Sequence, residues 1–310
     1  MFINPILNKE LTLGSRTIKL PIAICIYNIV LAAIALTVLF SISSSTRAID
    51  YESLMMLFPL LATMQCFIIL LMIPVITASS IAGERERQTL DVILTAPISP
   101  MRIVLGKIMS AICQVMMFVI SSIPIMSLAF ILGGMNWFKL LGFIGMVIFA
   151  SFYVGAIGVF CSSKTKKTVT SVILSFVIIF AVMGVTLFIF ALKMAAVSRS
   201  YYTPSYAGGQ AVSQVIDVTS AVIWPLINPA VTVGNYVFQA FTGVGIADIG
   251  DRVKGNIDGV SFFIIQHWNT IGVIVNTLIA FIFISLAAKE IDPMRKKRIK
   301  RGKKKQTEEE

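Results

Sequence analysis

Long apolar runs punctuate this chain, separated by short polar stretches. The runs are Ile22–Ile42, Leu54–Ala78, Ile108–Leu132, Phe138–Cys161, Val169–Leu192 and Thr270–Ala288. At 1.5 Å per helical residue, each is long enough to cross a hydrocarbon core of about 30 Å. The pattern predicts an all-α integral membrane protein with six transmembrane helices. Pro59, Pro74 and Pro124 lie inside these runs. Neighbouring helices and Ser or Thr side chains can satisfy the carbonyls such prolines free. About twenty mixed residues precede the first run, which is longer than a secretory h-region and has no clear small-x-small exit. It is expected to stay as a span.

The longest interval between runs, 193–268, is not uniformly polar. Its start, Ser200 to Gly209, is aromatic and loop-like. Ala221 to Phe241 is apolar but broken by Pro225, Asn228-Pro229 and Gly234. This density of breakers predicts a re-entrant or interfacial pair of short helices; the alternative is a seventh and an eighth crossing. A polar Gly/Asp-rich loop follows from Asp248 to Asp258.

Composition agrees with a chain built for lipid. It is 57% hydrophobic and 13% charged, with mean hydropathy +0.88; soluble domains carry about a quarter charged residues. No hydrophilic stretch is long enough to form a separate soluble domain. The net charge of +11 is concentrated in Arg295–Arg298 and Lys300–Lys305, a basic tail over 289–310. Without a basic domain or interleaved aromatics it reads as a topology signal beside anionic headgroups, not as nucleic-acid binding. With six spans, only Arg47, Lys139, Lys193, Arg199, Arg252 and Lys254 fall on one side, and every other Lys and Arg falls on the side of the termini. Both termini are therefore expected in the cytoplasm.

Several chemistries find no support. Cys25, Cys66, Cys113 and Cys161 sit in or beside apolar runs with no CxxC spacing, as small buried hydrophobes do. His267 stands alone beside Trp268, as an interfacial residue and not a metal ligand. No Asp, Glu or His falls within the six spans. That argues against a proton-coupled carrier and against an intramembrane aspartyl or metalloprotease. Gly106-Lys107 is followed by Ile108, so it is not a phosphate loop. If ATP is used, a separate subunit binds it.

The stretch Ser79–Pro100 is the most informative. It reads as a short helix off the membrane, capped by Ser79 or Ser80 and ended by Pro97. Leu90, Ile93 and Leu94 share one face; Glu84, Arg87, Gln88 and Asp91 share another, with Arg87 and Asp91 at i, i+4. One reading is a solvated connector between two spans. The other is a lever that docks in a partner's groove and transmits its movement.

The order Gly-Glu-Arg-Glu-(x2)-Thr-Leu-Asp-(x2)-Leu-(x2)-Pro-Ile-Ser from Gly83 to Ser99, followed by Gly106-Lys107, resembles the signature of ABC-2 type transporter permeases. Asn4-Pro5-Ile6-Leu7-(x)-Lys9-Glu10-Leu11 resembles the amphipathic elbow that precedes their first span. The resemblance implies one ABC-2 type transmembrane domain over 1–310: an elbow over 1–20, a coupling helix over 79–99 and an external segment over 193–268. It implies that Glu84, Arg85, Glu86, Arg87, Thr89, Leu90, Asp91 and Leu94 bind an ABC ATPase subunit, with Leu90 and Leu94 packing the coupling helix. Asn4, Pro5, Lys9 and Glu10 would lie along the cytoplasmic interface. It further implies export across the plasma membrane and a second permease copy, identical or related. No cofactor is implied in this chain, since ATP and Mg would sit on the partner.

The external segment is longer than in compact members, closer to the sodium- or antibiotic-efflux branch than to the polysaccharide exporters. Ser121, Ser122, Gly155 and Gly158 would line the pathway or allow close helix packing. The rivals are an ATP-independent channel or carrier, a membrane assembly factor, and a membrane enzyme for which no catalytic constellation stands out.

Overall fold

The computed structural model describes residues 18–45, 57–90, 99–132, 137–202, 206–207, 210–211, 219–248 and 259–291. In chain order the elements are α1 (Lys19–Ser45), α2 (Leu57–Glu86), α3 (Pro100–Leu132), α4 (Trp137–Lys164), α5 (Thr168–Tyr202), β1 (Tyr206–Ala207), β2 (Gln210–Ala211), α6 (Thr219–Leu226), α7 (Pro229–Thr242), α8 (Gly259–Gln266) and α9 (Trp268–Ile291). The two strands form a minimal antiparallel pair.

Six of these helices are long and apolar enough to cross a membrane, as the apolar runs predict. Most overrun the runs. α2 continues to Glu86, α3 starts at Pro100 and not at Ile108, and α5 extends to Tyr202. A helix does not stop where its side chains cease to be apolar, because every backbone group it keeps bonded is one fewer to satisfy elsewhere. The chain's alternation gathers Arg85, Arg87, Arg102, Lys107, Lys164, Lys166, Lys167 and Lys289 at one end of the bundle, here called the basic end, with Lys139 and Lys193 near the other.

α4 is the hub. It packs against α2, α3, α5, α7 and α9. In lipid there is little hydrophobic drive between helices, so contact depends on close fit and on small residues. The α2–α4 seam follows this rule. A Cβ on Gly158 would run into the Thr77 hydroxyl and lie 2.9 Å from the Thr77 Cβ, and one on Gly155 would touch Thr77, Ile108 and Ile73. Gly158 therefore permits the close approach, while a Cβ on Gly155 would make only ordinary contacts. Further up the seam, Phe58 and Phe143 meet edge to face at 6.1 Å between centroids. α1 and α5 lie at the rim, and their apolar side chains, among them Ile26, Ile29, Ile173 and Phe180, stay exposed, as lipid-facing residues do.

Among the described residues, the interval between α5 and α9 contains α6, α7 and α8 besides the β1–β2 pair. α6 and α7 span about 12 Å and 21 Å by helical rise, too short to cross about 30 Å. Their corner is Asn228, fully buried. Its Oδ1 accepts from Ala230 N–H at 3.0 Å, and its Nδ2 donates to Thr186 Oγ1 at 3.0 Å, partway along α5. Asn276, on α9, donates to Leu226 O at 2.9 Å. The pair thus enters from the end opposite the basic one, turns among α5 and α9, and returns: the re-entrant arrangement and not two extra crossings. Above it, Asn235 donates to Asn269 Oδ1 at 2.8 Å and Asn269 donates to Gln239 Oε1 at 3.0 Å, tying α7 to α9.

The seam predicts opposite outcomes for two helical glycines. Gly158→Ala should destabilise by about 1–3 kcal/mol through overpacking. Gly184→Ala, which meets nothing within 4 Å, should be neutral or slightly stabilising because Ala favours the helix. Thermal unfolding of both variants in the same detergent checks this; equal shifts would mean that the seam is not tight.

Candidate functional site

At the basic end the last turn of α2 becomes a clamp. The sequence predicts a separate helix starting at a Ser79 or Ser80 cap, but α2 runs through both residues without a break. Their hydroxyls donate back to Ile76 O at 2.9 Å and Thr77 O at 2.7 Å, so they are interior helix residues and not caps. The break comes later. Gln88 N–H donates to Arg85 O at 3.1 Å and Thr89 N–H to Glu84 O at 2.9 Å, with Gln88 at φ +59°. That is a Schellman ending, with Gln in the left-handed position where Gly is commonest. The turn separates Glu84, Arg85 and Glu86 from the segment beyond. Leu90 comes two residues after the turn and is buried in the main core.

Glu84, Arg85 and Glu86 each hold a different neighbour. Glu84 Oε1 pairs with Lys107 Nζ of α3 at 2.6 Å, with side chains 16% and 2% exposed. Arg85 donates to Thr165 O at 2.7 Å and Ser163 O at 3.0 Å, securing the end of α4. Those carbonyls belong to a helix C-terminus, where a cation is favoured. Glu86 Oε2 accepts from the Thr168 N–H at 3.1 Å and from Thr168 Oγ1 at 2.7 Å, capping α5 from another helix. Below these, Ser162 Oγ of α4 accepts from Ile81 and Ala82 N–H at 3.0 and 2.8 Å and donates to Ala78 O at 2.6 Å. One turn of α2 is thereby fastened to α3, α4 and α5.

Of the residues singled out from the sequence, Glu84, Arg85 and Glu86 meet in this clamp with internal partners. Arg87 and Thr89 are exposed at the turn, and Leu90 anchors the chain just beyond it. Asp91 and Leu94, and the elbow residues Asn4, Pro5, Lys9 and Glu10, lie outside the described residues. Lys107, Ser162, Thr165 and Thr168 are additional members. Lys107 carries the one readable signal: a cation between Ile103 and Ile112, in an apolar stretch, calls for a partner. No local pattern marks the other three.

Among the described residues no group of His, Cys, Asp and Glu could hold a metal ion. The arrangement suits the mechanical joining of four helices around a connector, 87–99, whose two ends are held by the Glu84–Lys107 pair.

A family model described as ABC-2 family transporter protein matches residues 54–288, from just before α2 into α9. No curated protein matches the chain.

The clamp predicts a non-additive pair. Lys107→Met alone leaves a buried carboxylate unpaired and should cost about 3–5 kcal/mol, while Glu84→Leu with Lys107→Met should lie much closer to wild type. Thermal midpoints of the two single variants and the double variant check it; simple additivity would dissolve the pair.

Proposed function

The chain belongs to the ABC-2 family of transporter proteins and is a multi-pass membrane transport component; we propose that it is the permease subunit of an ATP-driven exporter whose ATPase is a separate chain. The observation that carries this reading is the clamp. Residues 87–99 leave α2 at a sharp turn and enter α3 at Pro100, and the residues on either side are tied to four helices. In this reading a displacement that reaches Glu84, Arg85, Glu86 and Leu90 is passed to α2, α3, α4 and α5.

In this reading the basic end faces the cytoplasm of a cell membrane, in keeping with the positive-inside rule. Arg87, Thr89 and Asp91, with Leu90 and Leu94 packing the connector, meet a groove of the ATPase. Glu84, Arg85 and Glu86 position the connector, and the elbow over 1–20 lies along the same interface. Two permeases, identical or related, pair and bind two ATPase subunits, which hold ATP and Mg. Closure of the ATPase pair moves both connectors together and opens the path between the permeases outward.

The test is what accompanies the tagged protein through purification in mild detergent, identified by mass spectrometry. An ATPase subunit with a phosphate loop is expected with wild type. It should be lost or depleted with Arg87→Glu plus Asp91→Arg, which leave the internal partners of the clamp in place. Wild type purifying alone, without ATP turnover, would favour a self-sufficient channel or carrier.

A further inference from the structure

Away from the basic end, α1, α2 and α3 enclose a set of neutral polar groups inside the apolar slab. Tyr27 of α1 meets Phe118 of α3 edge to face at 5.4 Å, and with Leu31 they form a small buried cluster on which Ile68, Met72 and Ile125 pack. One residue on, Asn28 Nδ2 donates to Ser121 Oγ of α3 at 2.9 Å and to Ile24 O at 2.9 Å. Gln65 of α2 shares a helical stripe with Ile68 and Met72, at i, i+3 and i+7. Gln65 and Phe118 both lie about 30 Å from the basic end by helical rise, so they are level.

Four atoms here are buried without a hydrogen-bond partner: Tyr27 Oη, Asn28 Oδ1, and both Gln65 Nε2 and Gln65 Oε1. Ser122 Oγ, which donates to Val119 O at 2.8 Å, keeps acceptor lone pairs close to Tyr27 Oη. Gln65 is 1% exposed. An unpartnered amide is costly in an apolar interior, and such a group calls for a specific explanation. Close packing does not supply one, because a leucine would fill the same volume without the cost. A ligand does.

The donor and acceptor set defines its chemistry. A cation would use the acceptors and leave Gln65 Nε2 idle; an anion would use the donors and leave both amide oxygens idle. A hydroxyl or amide group both donates and accepts, and so matches the whole set. The surrounding Phe118, Leu31, Ile68 and Met72 suit an apolar body. Asn28 and Ser121 are half-buried between Ile29 and Ile120, which are exposed on the rim, so the α1–α3 seam reaches the lipid-facing surface.

We propose that Gln65, Tyr27 and Asn28 form a recognition site for a neutral amphiphile with a hydroxyl or amide head, entering from the bilayer through the α1–α3 seam. As the cargo site it rests on the transport reading; as a binding site it does not, and it is tested on the chain alone, without ATP or partner.

The probes are monoolein, oleate and oleylamine, which share a chain and differ in head charge. Thermal unfolding of the full-length protein is followed as each is titrated. Monoolein should stabilise wild type at concentrations where oleate and oleylamine do not. The apparent Kd for monoolein should rise about tenfold or more in Gln65→Leu, which removes both amide atoms, and several-fold in Tyr27→Phe, a milder change that reports even if Gln65→Leu fails to fold. Three equal shifts in wild type, a monoolein shift that survives both substitutions, or no shift at all would overturn the proposal. The last result would leave water as the occupant.

Discussion

The close approach of α2 and α4 is the contact on which the rest of this fold depends. It requires Gly158 opposite Thr77, and it ends at Ser162, whose hydroxyl reaches three backbone groups of α2. Only because the two axes are this close can Arg85 reach the carbonyls of Ser163 and Thr165, and Glu86 the first N–H of α5. Small residues one turn before the end of the seam thus set the geometry of the charged residues beyond it, by the rule that membrane helices associate through fit and hydrogen bonds.

The same rule governs the opposite half. Short helices cannot cross the slab, and their loose backbone ends must be satisfied within protein. Asn228 and Asn276 do this for the α6–α7 corner, using Thr186 and the Leu226 carbonyl. The bundle is therefore fastened by polar contacts at two levels, the clamp at the basic end and the corner inside, with the apolar hub α4 between them. Among the described residues, single buried polar atoms without a partner also occur at Glu84, Ser110, Ser171, Trp268 and Asn276; Gln65 differs in that both of its amide atoms lack one.

Much of this was legible in the sequence. Six runs of sufficient length gave six helices, and Pro225 with Asn228-Pro229 marked the break between two short helices, with a further pair of crossings as the alternative reading. Helix ends were less legible. Ser79 and Ser80 look like caps, yet their hydroxyls bond backward inside α2, because the α4 contacts keep that helix going to Glu86. The true ending uses Gln88 in a left-handed conformation, for which Gln gives no signal. The partners of Glu84, Arg85 and Glu86 were also hidden. They lie on α3, at the end of α4 and at the start of α5, and pairing across such separations depends on helix packing, which no local pattern encodes.

The central claim is that the connector over 87–99 passes movement to the membrane helices. Pulsed electron spin resonance between nitroxides at position 87 of two copies tests it most directly, in the purified permease–ATPase complex with and without a non-hydrolysable ATP analogue. The account predicts a change of several ångströms in the distance between labels, with a matching change between labels placed at the far ends of α2. A distance at position 87 that responds while the far ends of α2 stay fixed, or no response at either place, would contradict it.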